Sequence, residues 1–366
     1  MTTQSLSGVA PSVRRRSLVS LVVALVSVWA LPVACGGEAS PVGTADAGAT
    51  LDAPTATATT STPGPNPSTT GTTPLPAAPR VHVVLFTHIE DNTPMGALDG
   101  PQARASYMNM RTRLVEMGKL ANAHKAPWSL QPDWKILIAA QRFEDATTMA
   151  STAGQNVFKY LRDTLGVFID PHSHEAGGYN YTDVAHLLSE LGVGGSTVIG
   201  GHVWDPSLPQ FAEWDRFRVP VAGTMFPQTS WRGDILMGSG TPNHVNDPIV
   251  SGVWRPKDRN AYFVDDPAGN IACVGAYTKG LEGVTELAAK IASGEVPPSC
   301  MLTSSYHIAP AALLAQDGMT TIESTVLAPL EAQERAGKVA LTDFTALVAT
   351  WKRDYGGKAC LYPTPK

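Results

Sequence analysis

The chain has 366 residues, 43% of them hydrophobic, and carries 27 Lys and Arg against 32 Asp and Glu, a net charge of −5. Nucleic-acid partners leave a basic footprint, so this balance argues against nucleic acid as the main partner. The first 80 residues add little to any core, which leaves roughly 290 for one barrel-sized α/β domain.

Arg14, Arg15 and Arg16 precede an apolar run from Leu18 to Ala34 with small residues near its end. A positive segment, a short apolar segment and a cleavage site make up a secretory signal. At about 15–17 residues the run is marginal for a permanent membrane span. Leu31-Pro32-Val33-Ala34-Cys35 resembles a lipobox, with Pro32 where Leu is usual, and makes Cys35 the expected lipidation site. An ordinary signal peptide with an incidental cysteine is the plainer alternative, and Arg15-Arg16-Ser17 also resembles a twin-arginine signal. Residues 1–34 are therefore read as a signal peptide of lipoprotein type. Residues 35–79 are rich in Thr, Pro and Ala, cannot bury enough surface to offset their ordering entropy, and are expected to form a disordered tether. Residues 80–366 form the folded domain, held at the cell envelope or surface by the lipid anchor alone.

Within that domain Val81 to Ile89 (VHVVLFTHI) is a β-branched, apolar run suited to a strand buried on both faces. Helical spacing from Gln102 to Ala123 follows, with Met108, Leu114, Met117 and Leu120 spaced by six, three and three residues, close to whole helical turns. Lys135 to Ala140 reads as a second strand, Val157 to Leu165 as a helix, and Gly166 to Asp170 as another strand. Thr182 to Leu191 is a helix stopped by Gly192. Further strands are expected at 196–201, 219–224, 270–277 and 301–305, with a helix over 283–293 and a mainly helical stretch from Thr321 onward. This rhythm predicts an α/β fold with a largely parallel sheet, either open or closed into a barrel. Cys273, Cys300 and Cys360 remain beyond the tether; export permits a disulfide, but the pairing among the three stays open.

Three polar clusters fall where strands end, the place such folds keep their chemistry. The first is Thr87-His88-Ile89-Glu90-Asp91-Asn92, with two adjacent carboxylates that need a cation or hydrogen bonds if buried. Asp91 capping a turn beside a solvated Glu90 is its purely structural reading. The second is Asp170-Pro171-His172-Ser173-His174-Glu175. In extended chain His172 and His174 face the same side and can converge on one metal ion, with an open position left for water. The third, Ser304-Ser305-Tyr306-His307, ends in a histidine suited to general acid work near neutrality. Trp204, after a strand, and Trp254, before Arg255, are candidate sugar-stacking residues.

Together the clusters resemble the polysaccharide deacetylase (NodB-like) superfamily, related to glycoside hydrolases of the same fold, an irregular (β/α)7 barrel. The resemblance implies Glu90 as general base, Asp91 as metal ligand, and His172 as the first histidine of a metal pair. It implies His307 as general acid and Arg255, in Trp254-Arg255-Pro256, as the residue that orients the base. The family's second histidine normally lies four residues after the first, where this chain has Ala176, so His174 must stand in. The implied function is a divalent-metal hydrolase, with zinc the expected ion, that deacetylates an N- or O-acetylated polysaccharide. The alternatives are a glycosidase on the same fold, with Glu90 as nucleophile, or a non-catalytic glycan-binding lipoprotein.

Overall fold

The computed structural model describes residues 79–201, 213–237, 250–277 and 280–363. The signal peptide, nearly all of the tether, Cys35, and the His202–Asp205 segment with Trp204 lie outside the described residues.

Strand β1, Val81–Ile89, is buried at every position and is the centre of the first sheet. It pairs in parallel with β10 (Thr303–His307) on one edge. The other edge is shared by β2 (Trp128–Pro132), along residues 85–89, and β11 (Val339–Thr342), along residues 81–84. Strand β3 (Phe168–Ile169) extends the sheet beyond β2. A second sheet runs β4 (Val198–Ile199), β7 (Ile235–Met237), β9 (Ala272–Val274) and β8 (Val253–Trp254), with only β8 antiparallel to its neighbour. A short antiparallel pair, β5 (Val221–Ala222) and β6 (Ser230–Trp231), lies apart.

The fold is therefore mixed α/β on parallel strands, as expected, but the described ladders form two sheets rather than one continuous wall. A single parallel bridge, His172 to Gly200, links β3 to β4. Between β9 and β10 side chains make the connection. Thr303 Oγ1 donates to the Gly275 carbonyl at 2.7 Å, and Ser304 Oγ donates to that of Tyr277 at 2.7 Å. The C-terminal tail is tied into the same region by a disulfide between Cys300 and Cys360, with Cα atoms 5.1 Å apart, while Cys273 is free and buried.

Alternation along β1 decides what each face does, because successive side chains on a strand point to opposite sides. Val81, Val83, Leu85 and Ile89 pack outward on the helices, among them α1 (Pro101–Ala123) through Leu114 and Met117 and α4 (Val157–Leu165) through Phe158 and Leu161. Val84 and Phe86 pack inward against β7, β9 and the last helix, Phe344–Asp354. That helix buries Phe344, Leu347 and Val348, worth about 1.5–3 kcal/mol each. Continued two residues at a time, the inward face carries His88 and then Glu90.

The expected strand Lys135–Ala140 is instead helix α2, Trp134–Phe143. Asp133 Oδ1 accepts from the Trp134 amide at 2.6 Å and caps it, and Ile136, Leu137, Ala140 and Phe143 are buried at helical spacing. A short apolar run such as KILIAA reads equally as strand or helix, and the true strand, β2, lies just before it. Strand β11 likewise interrupts the stretch expected to be helical from Thr321. Between them stand the short helix Ala146–Met149 (α3) and α5, Tyr181–Glu190, which opens on a capping box of Asn180 and Asp183. Asp183 also accepts from the amides of Thr224, Met225 and Phe226 at 2.9–3.0 Å, anchoring the loop after β5 to the head of α5.

Candidate active site at the C-terminal ends of the strands

His88 is the eighth of nine residues in β1, and Glu90 follows the strand's end. Both stand beside the segment after β3, where His172 is fully buried. Two glycines leave room for the side chains packed around it. A Cβ on Gly201, whose φ is +71°, lies 2.2 Å from the His172 ring, and one on Gly200 lies 2.7 Å from Gln131 Oε1. The loop carrying His174 is closed by Ser173, which accepts from the Glu175 amide at 2.8 Å and donates to the Tyr179 carbonyl at 3.0 Å. Glu175 sits in the left-handed region at φ 58° and is in contact with Arg216.

Glu90 is the hub of the cluster. Its Oε2 lies 3.2 Å from His174 Nε2 and 3.7 Å from His172 Nε2, and its Oε1 lies 3.9 Å from His88 Nδ1. The His88 ring is 4.6 Å from that of His172 and 5.1 Å from that of His307. His307, at the end of β10, stacks on Phe86 at 5.0 Å and is open to solvent. Behind His172 the buried Asp133 places Oδ2 3.5 Å from Nδ1.

Electrostatics follow this crowding. Burial pushes the Glu90 carboxyl up, but the hydrogen bond from His174 and the fields of His172, His174 and His307 prevail and bring it down to about 2. Burial, then His172, His307 and His174, hold His88 well below the usual histidine value. Burial lowers His307 as well. Burial also acts to lower His174, but its hydrogen bond and charge interaction with Glu90 outweigh this and raise it. Burial lifts Asp170 to about 6 even though it accepts from Ser196 Oγ at 2.6 Å.

The donor atoms of His88, Glu90 and His172 lie within 4.8 Å of one another. His88 Nε2, His172 Nε2 and the Gln131 amide are buried without a hydrogen-bond partner, and His172 Nδ1 and Asp133 Oδ2 make no hydrogen bond beyond facing each other at 3.5 Å. Each such group costs about 1–3 kcal/mol when left unmade, so their concentration in one place calls for something that engages them. Two imidazoles and one carboxylate, with a carboxylate behind one imidazole, are the donor set of a borderline divalent ion such as zinc. The residues present fit that group.

Of the residues singled out in the sequence, the fold brings Glu90, His172, His174 and His307 together. Asp91 is not in the triplet: it follows Glu90 by one residue, in the turn beyond the strand, and its charge acts on His174. Arg255 does not reach the cluster. It pairs with Asp265 at 3.0 Å and the Gly357 carbonyl at 3.0 Å. Because β8 runs against β9, its exit lies at the opposite end of the sheet. Trp254 is 1% exposed and donates to the Tyr262 carbonyl, so it is core and offers no face to a sugar. The sequence reading gave no role to His88, Asp133 or Gln131. Period-two spacing could have found His88, which shares a strand face with Glu90; nothing local marks Asp133 as more than a helix cap.

No family model matches the chain, and no curated protein matches it. Among solved structures the chain is similar to that of 4-alpha-glucanotransferase from Thermococcus litoralis, with a TM-score of 0.40 and 9% identity, over 74% of this chain and 40% of that one. The chain thus spans about two fifths of that protein's length.

Proposed function

We propose that the protein is a hydrolase that binds a divalent cation through His88, Glu90 and His172 and removes acetyl groups from a polysaccharide. The observation that carries the reading is the convergence of those three side chains, with buried, unpartnered ring nitrogens, at the C-terminal ends of parallel strands. We read the two sheets as one irregular barrel whose mouth holds the site. When bound, a divalent ion supplies a Lewis acid that polarises a carbonyl and raises the acidity of water. Glu90, expected from the sequence to be the base, is better suited to ligation, since it is the hub of the cluster. Asp133 fixes the His172 ring from behind. His174 holds Glu90 through its Nε2. To His307, whose ring is 5.1 Å from that of His88, we assign delivery of a proton to the leaving amine or alkoxide. The acetylated glycan comes from the sequence resemblance, as does the lipid tether at Cys35. Among the described residues no helix is long and apolar enough to cross a membrane.

A glycosidase is the second reading, supported by Glu90 itself: an ionised, half-buried carboxylate at the mouth is in the state a nucleophile needs. Products separate the two. The full chain, assayed on acetylated glycans, is expected to release acetate, to stop with chelator, and to resume with added zinc. New reducing ends without acetate establish the glycosidase. Hydrolysis indifferent to both chelator and His172→Ala defeats the metal mechanism.

A further inference from the structure

Beside the cluster lies a second feature that the proposed chemistry does not use. A cleft of about 600 Å³ opens between the segment that leaves Glu90 and the helix Pro310–Leu314 that follows His307. It is thus bounded by the continuations of two of the strands that carry the site. Its floor is one face of α1: Gln102, Ser106 and Asn109 recur at steps of four and three, which aligns them along a single stripe. Asn92 closes one end, two residues beyond Glu90. Met95 and Leu314, 59% and 39% exposed, supply apolar surface at its edges.

Among the described residues no ionisable side chain lines this cleft. A phosphate chain or nucleic acid needs cationic or backbone donors, and none of the lining side chains carries a positive charge. What the cleft offers instead is neutral amides and two hydroxyls, of Thr93 and Ser106, each able to donate and accept, next to exposed apolar groups. Gln102 and Asn109 have their side chains exposed and make no hydrogen bond within the described residues. Asn92 spends only its Oδ1, which accepts from Thr93 at 3.0 Å, and Ser106 Oγ accepts from the Met95 amide at 3.0 Å and keeps its own proton. Uncommitted amide groups alternating with carbon surface match a chain of hydroxyls on CH faces.

We infer that this cleft is a binding subsite for an uncharged oligosaccharide, which enters along α1 and presents its acetylated unit between Glu90 and His307. The inference rests on the carbohydrate part of the proposed function, though not on the metal or on the bond that is cleaved. The test is calorimetric titration of the full chain with two uncharged probes, an N-acetylglucosamine hexasaccharide and an acetylated xylohexaose. Binding of at least one is expected. Gln102→Ala and Asn109→Ala should each weaken it about three- to tenfold, the range of one neutral hydrogen bond. Asn109→Trp, which fills the cleft from an exposed helix position, should weaken it by more than about tenfold. If neither probe binds, or if Asn109→Trp binds like the wild type, the subsite is refuted. Binding that depends on Asn109 in a protein that releases no acetate keeps the subsite and removes the deacetylase.

Discussion

Asp133→Asn isolates the part of the site that sequence reading did not find. The substitution keeps shape and volume, and Asn is as good a helix cap as Asp, so the bond that Oδ1 accepts from the Trp134 amide at 2.6 Å survives. What changes is the partner of His172, 3.5 Å from Oδ2. A unit charge pair at that distance interacts by about 5 kcal/mol at an effective dielectric near 20. Only part of a unit charge reaches the far nitrogen of a ligating imidazole, which brings the expected loss to about 1.4–3 kcal/mol, a ten- to hundredfold fall in metal affinity. Competition against a chromophoric chelator measures it directly, with thermal unfolding of the metal-free protein as the control for folding. Affinity within twofold of wild type, in a variant that folds normally, refutes the claim that Asp133 orients a metal-binding His172.

Other regions give sharper tests of the fold. Reduction of the Cys300–Cys360 bridge, or Cys300→Ser, opens a loop with a sequence separation of 60 residues, and the chain-entropy relation puts the loss near 4 kcal/mol in denaturant unfolding. His82, buried beneath Tyr355, is lowered from 6.5 to about 4 by burial first and then by Arg80, against the opposing charge of Asp354. The unfolded chain takes up that proton where the folded one refuses it, so stability is full above about pH 6.5 and declines as pH falls toward 4. The decline attributable to this residue is about 3 kcal/mol. His82→Gln should remove that part of the slope in unfolding curves taken from pH 7 to 4. Asp183→Ala strips the acceptor from the Thr224, Met225 and Phe226 amides and should cost about 3–5 kcal/mol in the same assay, whereas a loss below 1 kcal/mol contradicts the anchoring role.

Long patterned segments were legible from sequence alone. Strand β1 was readable because nine consecutive residues are apolar or β-branched or border such residues, and α1 because its buried residues hold a helical step over 23 residues. Two- and three-residue strands such as β7 and β8 carry too little pattern to be seen, and their place is fixed by pairing with β9. The site divides the same way. Glu90 and His307 were visible because each stands at the end of a readable strand, and His172 and His174 because two histidines one residue apart follow an apolar run. Nothing in the sequence separated Glu90 from Asp91, and of the two only Glu90 falls in the triplet with His88 and His172. Arg255 and Trp254 looked like site residues by neighbourhood in sequence, but β8 runs against its sheet, a reversal that only pairing shows. Asp133 was hidden just before a run whose period was misread, as the cap of the helix that the run forms.

Metal analysis of the full chain with point variants bears most directly on the central claim. One equivalent of zinc or a similar ion is expected in the wild type, lost in His88→Ala and His172→Ala and retained in Asp91→Asn. A protein that binds no divalent ion, or one that keeps it without His88 and surrenders it without Asp91, contradicts the account.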